Sequence, residues 1–190
     1  MNKESIFILG AGSVGRGVSD IFHSQGLSDI FFLDDNLSGK TVNKVPVVGV
    51  ISDWKKYSDY KFIIAFGIKD QNKRLKLYLD MCGNVEFVNA IHSSSVISTS
   101  SIIGENVVIF PQCSIMQNST IGNCVSLCSN CSVDHDCVIG DGCHLSPGVR
   151  LTGNVIVDNL VLLGVGSCVL PGVTVGSSSI VGAGSTVVKD

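Results

Sequence analysis

Residues 133–157 read VDHDCVIGDGCHLSPGVRLTGNVIV, and an aliphatic side chain occupies every sixth position of this stretch. The same register holds without a slip from Ile97 to Val187, where each sixth residue is Ile, Leu or Val. Four residues after each of them the side chain is small or β-branched, as at Cys137 and Val149. A fixed period of six is typical of a parallel β-helix, in which three short faces form a coil of about 18 residues. The pattern therefore predicts a solenoid whose aliphatic residues stack in its interior, each coil contacting only its neighbours.

Glycine often follows the aliphatic residue directly. Because glycine adopts positive φ angles at little steric cost, we expect these glycines to relieve backbone strain where the chain turns from one face to the next. They are Gly104, Gly122, Gly140, Gly164, Gly176 and Gly182.

The composition excludes some classes of partner. The chain has 190 residues, enough for one or two domains, and its formal net charge of −3 offers no basic surface for nucleic acid or an anionic membrane. No apolar run reaches the roughly 20 residues of a transmembrane helix. The N-terminus leads into a strand pattern without a basic leader and cleavage site, so we expect a cytoplasmic protein.

The eight cysteines are predicted to be free thiols with a packing role. Cys113, Cys131, Cys137 and Cys143 occupy the small inward position of the repeat, where a free cysteine behaves as a small hydrophobic residue. The sequence has no pair of CxxC motifs at zinc-site spacing, so no metal is predicted. Only Cys137 has a candidate base at an evident spacing, and it should point inward, so no cysteine is predicted to be a nucleophile.

The residues before the solenoid predict a small α/β domain. An apolar strand at Ser5–Leu9 leads into the turn Gly10-Ala11-Gly12-Ser13-Val14-Gly15, which a helical pattern follows. A second strand at Ile30–Leu33 ends in the acidic pair Asp34-Asp35, about 20 residues beyond the glycines. This βαβ arrangement is typical of dinucleotide-binding folds, in which the glycine turn and the helix N-terminus hold a phosphate.

The predicted domains are a Rossmann-like half domain at residues 1–91 and a β-helix at residues 92–190. The first has room for only about half of a full dinucleotide fold. Its size therefore favours a nucleotide or sugar nucleotide over NAD, and a plain strand-to-helix turn without a ligand stays open. Its other predicted elements are an edge strand at Val45–Val50, strands at Phe62–Phe66 and Val85–Ala90, and a helix at Asp70–Cys82.

The segment Val133-Asp134-His135-Asp136-Cys137 departs from the small polar residues that are usual on the outside of a β-helix. His135 lies two residues after the inward Val133, so it should point outward, with Asp136 beside it. A neighbouring carboxylate raises the basicity of an imidazole and fixes its tautomer, which suits a general base near neutral pH. We predict a catalytic role for His135 and Asp136; a solvated surface histidine is the alternative.

Taken together, these motifs resemble those of a known family, the sugar-nucleotide acetyltransferases of the NeuD/PglD type within the hexapeptide-repeat acyltransferases. The resemblance covers essentially the whole chain. It departs from the family pattern at Val14 and Cys128, where relatives often have histidine and asparagine. The segments that carry it are Gly10–Gly15, Leu33–Asp35, Ile64–Gly67, Ile91–Ser93, Val133–Gly140, Gly153–Val155 and Leu163–Pro171.

The resemblance implies a left-handed β-helix and a homotrimer with active sites between subunits. It also implies acetyl-CoA as the donor and a nucleotide-linked 4-amino sugar, with UDP as the expected carrier, as the acceptor in glycan biosynthesis. In that family the residue matching His135 is the general base, supported by Asp136. The implied sugar-nucleotide contacts are Gly10, Gly12, Ser13, Asp34, Asp35 and Gly67, and the implied acetyl-CoA contacts are His144, Gly153, Val165 and Ala183.

The expected reaction is a direct attack of the acceptor on the thioester, in which His135 removes a proton and a backbone N–H stabilises the oxyanion. No covalent enzyme intermediate is required. Three alternatives stay open: an O-acetyltransferase of a sialic-acid-like surface sugar, a non-catalytic nucleotide-sensing trimer, and an NAD-linked enzyme that would rest on the glycine turn alone.

Overall fold

The structure is a computed structural model that describes residues 3–67 and 70–190. The chain divides into two compact units, Met1–Ala90 and Ile91–Asp190. Within the described ranges, no helix has the length and apolar character needed to cross a bilayer.

The first unit is built on a six-stranded sheet with the strand order β3-β4-β2-β1-β5-β6, in which only the pair β3–β4 is antiparallel. Its elements are β1 Ile6–Leu9, α1 Ser13–Ser24, β2 Ile30–Leu33, β3 Thr41–Val42, β4 Val45–Gly49, a 3₁₀ helix Ile51–Tyr57, β5 Lys61–Ile64, α2 Gln71–Met81 and β6 Glu86–Phe87.

The predicted βαβ unit is confirmed by β1, α1 and β2. Strand β4 was expected at the sheet edge, but β3 pairs with its outer side. The two residues of β3 are too few to show a periodic pattern, and the 3₁₀ helix was also not predicted.

Strand β1 organises the packing of this unit. All four of its residues are buried, as a central parallel strand requires. The ring of Phe7 stacks on that of Tyr57, with centroids 4.3 Å apart. Helix α1 buries Val18 and Phe22 and begins close to the strand end. A methyl group on Gly15 would overlap the carbonyl group of Gly10, so glycine there permits the close helix–strand approach.

The second unit is a three-sided solenoid of two-residue parallel strands. The first face contains β7 Ala90–Ile91, β10 Val108–Ile109, β13 Ser126–Leu127, β16 His144–Leu145, β19 Leu162–Leu163 and β22 Ile180–Val181. The second face contains β8 Val96–Ile97, β11 Ser114–Ile115, β14 Ser132–Val133, β17 Arg150–Leu151, β20 Cys168–Val169 and β23 Thr186–Val187. The third face contains β9 Ile102–Ile103, β12 Thr120–Ile121, β15 Val138–Ile139, β18 Ile156–Val157 and β21 Thr174–Val175.

The strands of each face are in register from coil to coil, so that Ile115 lies beside Val133 and Val133 beside Leu151. The second residue of each strand points inward, and from Ile109 to Val175 these residues form one buried core. From Val107 to Val173 the small inward positions are buried as well, including all four cysteines predicted there. The predicted fold class, an α/β half domain followed by a left-handed parallel β-helix, is confirmed.

Positive φ angles occur at the corners of the solenoid, at the third residue after the inward aliphatic one. Most of these residues are not glycine; they include Asn118 at φ 59° and Asp136 at φ 57°. Asn and Asp tolerate this conformation better than most residues. The prediction that glycines next to the aliphatic residue have positive φ was wrong for all six of Gly104, Gly122, Gly140, Gly164, Gly176 and Gly182.

Four of those six glycines are required by the close stacking of coils instead. A methyl group on Gly122 would lie 2.9 Å from the backbone carbon of Gly140, and one on Gly164 would lie 2.6 Å from the backbone nitrogen of Ala183. Gly104 and Gly140 face the next coil in the same way. The repeat therefore selects glycine for space between coils, whereas the corner position accepts several residue types, most often glycine and asparagine.

Candidate active site

The first candidate site is a cavity of about 480 Å³ in the α/β unit. It lies beyond the carboxyl ends of the adjacent central strands β1 and β5. From β1 the chain continues to β2, and from β5 to β6, in opposite directions along the sheet. Ligands of α/β sheets generally bind at such a point. The size of the cavity is within the usual range for small-molecule sites. The residues that line it are Gly10, Gly12, Asp34, Asp35, Asn36, Ile51, Ala65, Phe66, Gly67, Asp70, Lys73 and Leu77.

Five of the six residues predicted to contact a sugar nucleotide line this cavity: Gly10, Gly12, Asp34, Asp35 and Gly67. The sixth, Ser13, is the exposed first residue of α1 and is not among the lining residues. The cavity thus meets the glycine turn and the start of a helix, whose unpaired N–H groups favour an anion.

Asp34 holds the glycine turn in place. Its Oδ2 accepts a hydrogen bond from the backbone N–H of Ala11 at 2.8 Å, and its Oδ1 accepts one from Asn36 at 2.9 Å. Asp35 instead accepts a hydrogen bond from the backbone N–H of Ile51 at 2.9 Å. The acidic pair therefore organises the backbone of the cavity wall, and Asp34 connects the end of β2 to the glycine turn.

Sequence reasoning missed Lys73, the only basic side chain among the described lining residues. Its Nζ lies 3.2 Å from Oδ1 of Asp70, and the side chain is otherwise exposed. An ammonium group at this position can neutralise a phosphate. The helix α2 was predicted, but its sequence did not reveal which of its lysines faces the cavity.

The second candidate site is the corner between the second and third faces of the solenoid, where His135 and Asp136 follow β14. Nδ1 of His135 lies 2.8 Å from Oδ2 of Asp136, and Nδ2 of Asn118 donates to Oδ1 of Asp136 at 3.1 Å. The hydrogen bond with His135, and then that with Asn118, hold the pKa of the Asp136 carboxyl below its usual value. An ionised carboxylate only accepts hydrogen bonds, so Nδ1 carries the proton and Nε2 of the neutral ring is left with a lone pair.

Asn118 was not predicted as a site residue, although the period of the repeat contains the signal. Asn118 and Asp136 occupy the same corner position one coil apart, 18 residues along the chain. Side chains at equivalent corner positions of successive coils are neighbours, so a polar residue one coil before Asp136 was a candidate partner.

Gly153 lies one coil beyond His135 at the same corner, and the imidazole covers it. A methyl group on Gly153 would lie 2.5 Å from Nε2 and 2.6 Å from Cε1 of the ring. The backbone N–H of Asn154 donates to the carbonyl oxygen of His135 at 3.0 Å, which fixes the two coils to one another. His135, Asp136 and Gly153 are therefore brought together in one chain.

The other predicted acetyl-CoA contacts lie elsewhere on the solenoid. Val165 and Ala183 occupy equivalent positions at the corner between the first and second faces, and both are exposed. His144 begins β16 on the first face and is only 5% exposed. A single chain therefore places His135 and Gly153 at one corner of the second face, Val165 and Ala183 at its other corner, and His144 on the first face.

The spacing of the cysteines did not reveal one contact. Cys137 is fully buried as predicted, whereas Sγ of Cys128 lies 3.6 Å from Nε2 of His144. Cys128 and His144 are 16 positions apart, a spacing that gives contact only through the diagonal of adjacent coils. That no cysteine is a nucleophile stays a prediction.

Comparison with known proteins agrees with both halves of the fold. Residues 5–81 match the model of the PglD N-terminal domain, and residues 118–153 match that of the bacterial transferase hexapeptide with six repeats. A protein of Acanthamoeba polyphaga mimivirus is 33% identical over 118 residues, which are 62% of this chain; this chain spans only 24% of the viral protein.

Two groups of solved structures are similar over the full chain. PerB from Caulobacter crescentus, solved with CoA and GDP-perosamine, is 34% identical with a TM-score of 0.92; the match covers 100% of this chain and 91% of that one. The acetyltransferase domain of PglB from Neisseria gonorrhoeae, solved with acetyl coenzyme A, is 28% identical with a TM-score of 0.92 and coverages of 100% and 93%. This chain is an acetyltransferase and belongs to the PglD-type sugar acetyltransferases of the hexapeptide-repeat superfamily.

Proposed function

We propose that this protein transfers the acetyl group of acetyl-CoA to the amino group of a nucleotide-linked 4-amino sugar, with His135 as the general base. The observation that carries the proposal is the arrangement of side chains at the corner between the second and third faces. Asp136 accepts from Nδ1 of His135 and from Asn118, so the imidazole has a fixed orientation and tautomer. Its side chain is 42% exposed, so a substrate can reach the ring.

In the proposed reaction the amine of the sugar attacks the carbonyl carbon of the thioester directly. Nε2 of His135 accepts the proton that the amine loses, and the positive charge that develops on the ring is balanced by the Asp136 carboxylate. A backbone N–H near the acyl group would stabilise the oxyanion, and CoA leaves as the thiol. This chemistry needs no metal and no covalent enzyme intermediate.

The cavity of the α/β unit supports a nucleoside diphosphate as the carrier of the sugar. The glycine turn and the start of α1 provide backbone N–H groups, and Lys73 provides a positive charge at the cavity wall. The sequence resemblance favours UDP as the nucleotide, whereas PerB was solved with GDP-perosamine. The proposed acceptor class is therefore a nucleoside-diphosphate amino sugar, with UDP and GDP as the carriers to be compared.

The division of residues between two corners supports a homotrimer. His135 and Gly153 lie at one edge of the second face, and Val165 and Ala183 lie at its other edge. In a ring of three copies with the second face toward the axis, one edge of each subunit meets the opposite edge of its neighbour. Each acyl-transfer site would then be completed by the adjacent subunit, with three equivalent sites per trimer.

The decisive experiment is a thiol-release assay with acetyl-CoA and matched UDP- and GDP-linked amino sugars, followed by mass spectrometry of the product. We expect release of CoA only with an amino sugar present, and an acetyl group on its nitrogen. An acetyl group on oxygen would instead establish the alternative O-acetyltransferase. No acetyl transfer to any member of the panel would contradict the proposed acceptor class.

A further inference from the structure

A thiol and an imidazole meet on the first face of the solenoid, apart from the corner that carries His135. Sγ of Cys128 lies 3.6 Å from Nε2 of His144, within hydrogen-bonding distance for a sulfur atom. Neither residue has a proton-transfer role in the reaction proposed for His135 and Asp136; the resemblance implies only that His144 contacts acetyl-CoA.

The repeat fixes this contact through two adjacent strands. Leu127 and Leu145 point into the core and are fully buried, so by alternation Cys128 and His144 point to the outside. His144 pairs in register with Ser126, which places Cys128 at the diagonal position, within reach of a long side chain. The backbone N–H of Cys128 donates to the carbonyl oxygen of Leu145 at 2.8 Å and holds the two strands together at this point.

The thiol of Cys128 is more exposed than the imidazole of His144, as expected for a nucleophile with a base behind it. His144 is 5% exposed, whereas Cys128 is only half-buried. The thiolate is the reactive form of cysteine, and an imidazole at hydrogen-bonding distance can take the thiol proton. The sulfur is therefore the member of the pair that an electrophile would meet, with the base behind it.

We propose that Cys128 accepts an acetyl group from acetyl-CoA by thioester exchange, with His144 as its base. The choice of donor rests on the proposed function; the reactivity of the pair does not. A bond forms between Sγ of Cys128 and the acetyl carbonyl carbon, and the bond from that carbon to the sulfur of CoA breaks. The proton moves from Cys128 to His144 and then to the departing CoA thiolate, so that no oxidant or further reactant is needed.

The test uses the full-length protein without any sugar acceptor and two donors, acetyl-CoA and the short thioester S-acetyl-N-acetylcysteamine. Peptide mass spectrometry follows the acetylation of each cysteine with time. Two other cysteines of the same protein serve as controls. Cys82 is exposed in the α/β unit and is the control for an accessible thiol. Cys168 is half-buried and outward-facing on the second face, where Arg150 and Thr186 flank it in register. Because the proposed trimer would turn that face toward its axis, the comparison with Cys82 is the decisive one.

We expect Cys128 to be acetylated at least about tenfold faster than Cys168 and Cys82, and the substitution His144→Gln to lower its rate by about 100-fold, the usual contribution of a general base. Equal rates at the three cysteines of the native protein would overturn the proposal, as would an unchanged rate in a folded His144→Gln variant. The comparison within the native protein decides the matter if that variant does not fold.

The short thioester separates this proposal from the proposed function. Selective acetylation of Cys128 by the short donor, with no transfer to any sugar in the thiol-release assay, would support the reactive pair and reject the sugar acceptor. If acetyl is transferred to a sugar but neither donor acetylates Cys128 selectively, the sugar acceptor is supported and the reactive pair is rejected.

Discussion

The imidazole of His135 lies directly against the backbone of Gly153, one coil farther along the solenoid, with no space between them for a methyl group. Asp136 holds Nδ1 of the same ring at 2.8 Å. The ring is therefore held at its edge by a carboxylate and on one side by a glycine. Gly153 is predicted to contact acetyl-CoA, and its backbone also sets the position of the imidazole of His135, the proposed base.

The substitution Gly153→Ala should displace this ring. The new methyl group would lie 2.5 Å from Nε2, and because Gly153 does not have a positive φ, alanine adds no backbone strain of its own. We expect kcat to fall by about 10- to 100-fold, since a displacement of about 1 Å at a catalytic group has effects of this size. Steady-state kinetics with both substrates would measure the change.

The control for that variant is Gly176→Ala, also in the solenoid, where the nearest atom to the added methyl group would be 4.0 Å away. It should keep the kcat of the parent protein. If Gly153→Ala raised KM for acetyl-CoA and left kcat unchanged, the glycine would be a contact for the donor and not a support for the ring.

Removal of the imidazole tests the proposed base itself. The substitution His135→Ala should lower kcat by about 100-fold or more, because general-base catalysis commonly contributes that much. The side chain is 42% exposed, so the folded state should be kept, and circular dichroism with light scattering would check it. Parental turnover in a folded His135→Ala protein would remove this residue from the mechanism.

Asn118 should help to keep the carboxyl group of Asp136 ionised beside His135. The pKa of Asp136 is lowered first by the hydrogen bond with His135 and then by that with Asn118. A lowered carboxyl pKa means that the interaction stabilises the fold above the ordinary pKa and is lost as pH falls through the lowered value. Asn118→Ala should move the pKa of Asp136 upward toward its usual value, measured by NMR titration of the carboxyl carbon.

Asn154→Ala is the matched control, because Asn154 occupies the same corner column with φ 61°, close to the 59° of Asn118. The two substitutions therefore carry the same backbone cost. An equal pKa of Asp136 in the parent and Asn118→Ala proteins would contradict the assigned hydrogen bond, and we expect Asn154→Ala to leave that pKa in place.

Asp34 provides a test in the α/β unit. Asp34→Ala removes the acceptors for the backbone N–H groups of Ala11 and Asn36, so we expect a loss of about 1–3 kcal/mol in the free energy of unfolding of this unit. The glycine turn would also lose its support, and calorimetry should show weaker binding of nucleoside-diphosphate sugars. Asp35→Ala, which removes one such acceptor, should cost less stability. Equal losses in the two variants would contradict the role given to Asp34.

The parts of this structure that follow from a strict period were predictable. The inward aliphatic residues and the outward direction of His135 depend only on position within six residues, and both are confirmed. The corner conformation was assigned to the wrong glycines, because a sequence does not distinguish a need for positive φ from a need for space. Gly122 needs the space, whereas Asp136 has the positive φ.

Contacts between separate segments were harder to foresee. The contact of Cys128 with His144 depends on the diagonal between two coils, and the position of Lys73 at the cavity depends on which side of α2 meets the sheet. Neither follows from a local pattern of residue types. The contact of Asn118 with Asp136 was partly predictable, since it follows from the period of 18 once the corner position is known.

The proposed trimer makes a prediction about the second face. Ser114 and Thr120 are half-buried, outward-facing strand residues of the same coil, on the second and third faces respectively. If the second face is turned toward the trimer axis, Ser114→Lys would bring three like charges together, and its effect should be loss of the trimer and of turnover. Thr120→Lys should keep both, because the third face would be turned away from the axis. Light scattering gives the mass of each variant; a monomeric but fully active parent protein, or dissociation by Thr120→Lys alone, would contradict this arrangement.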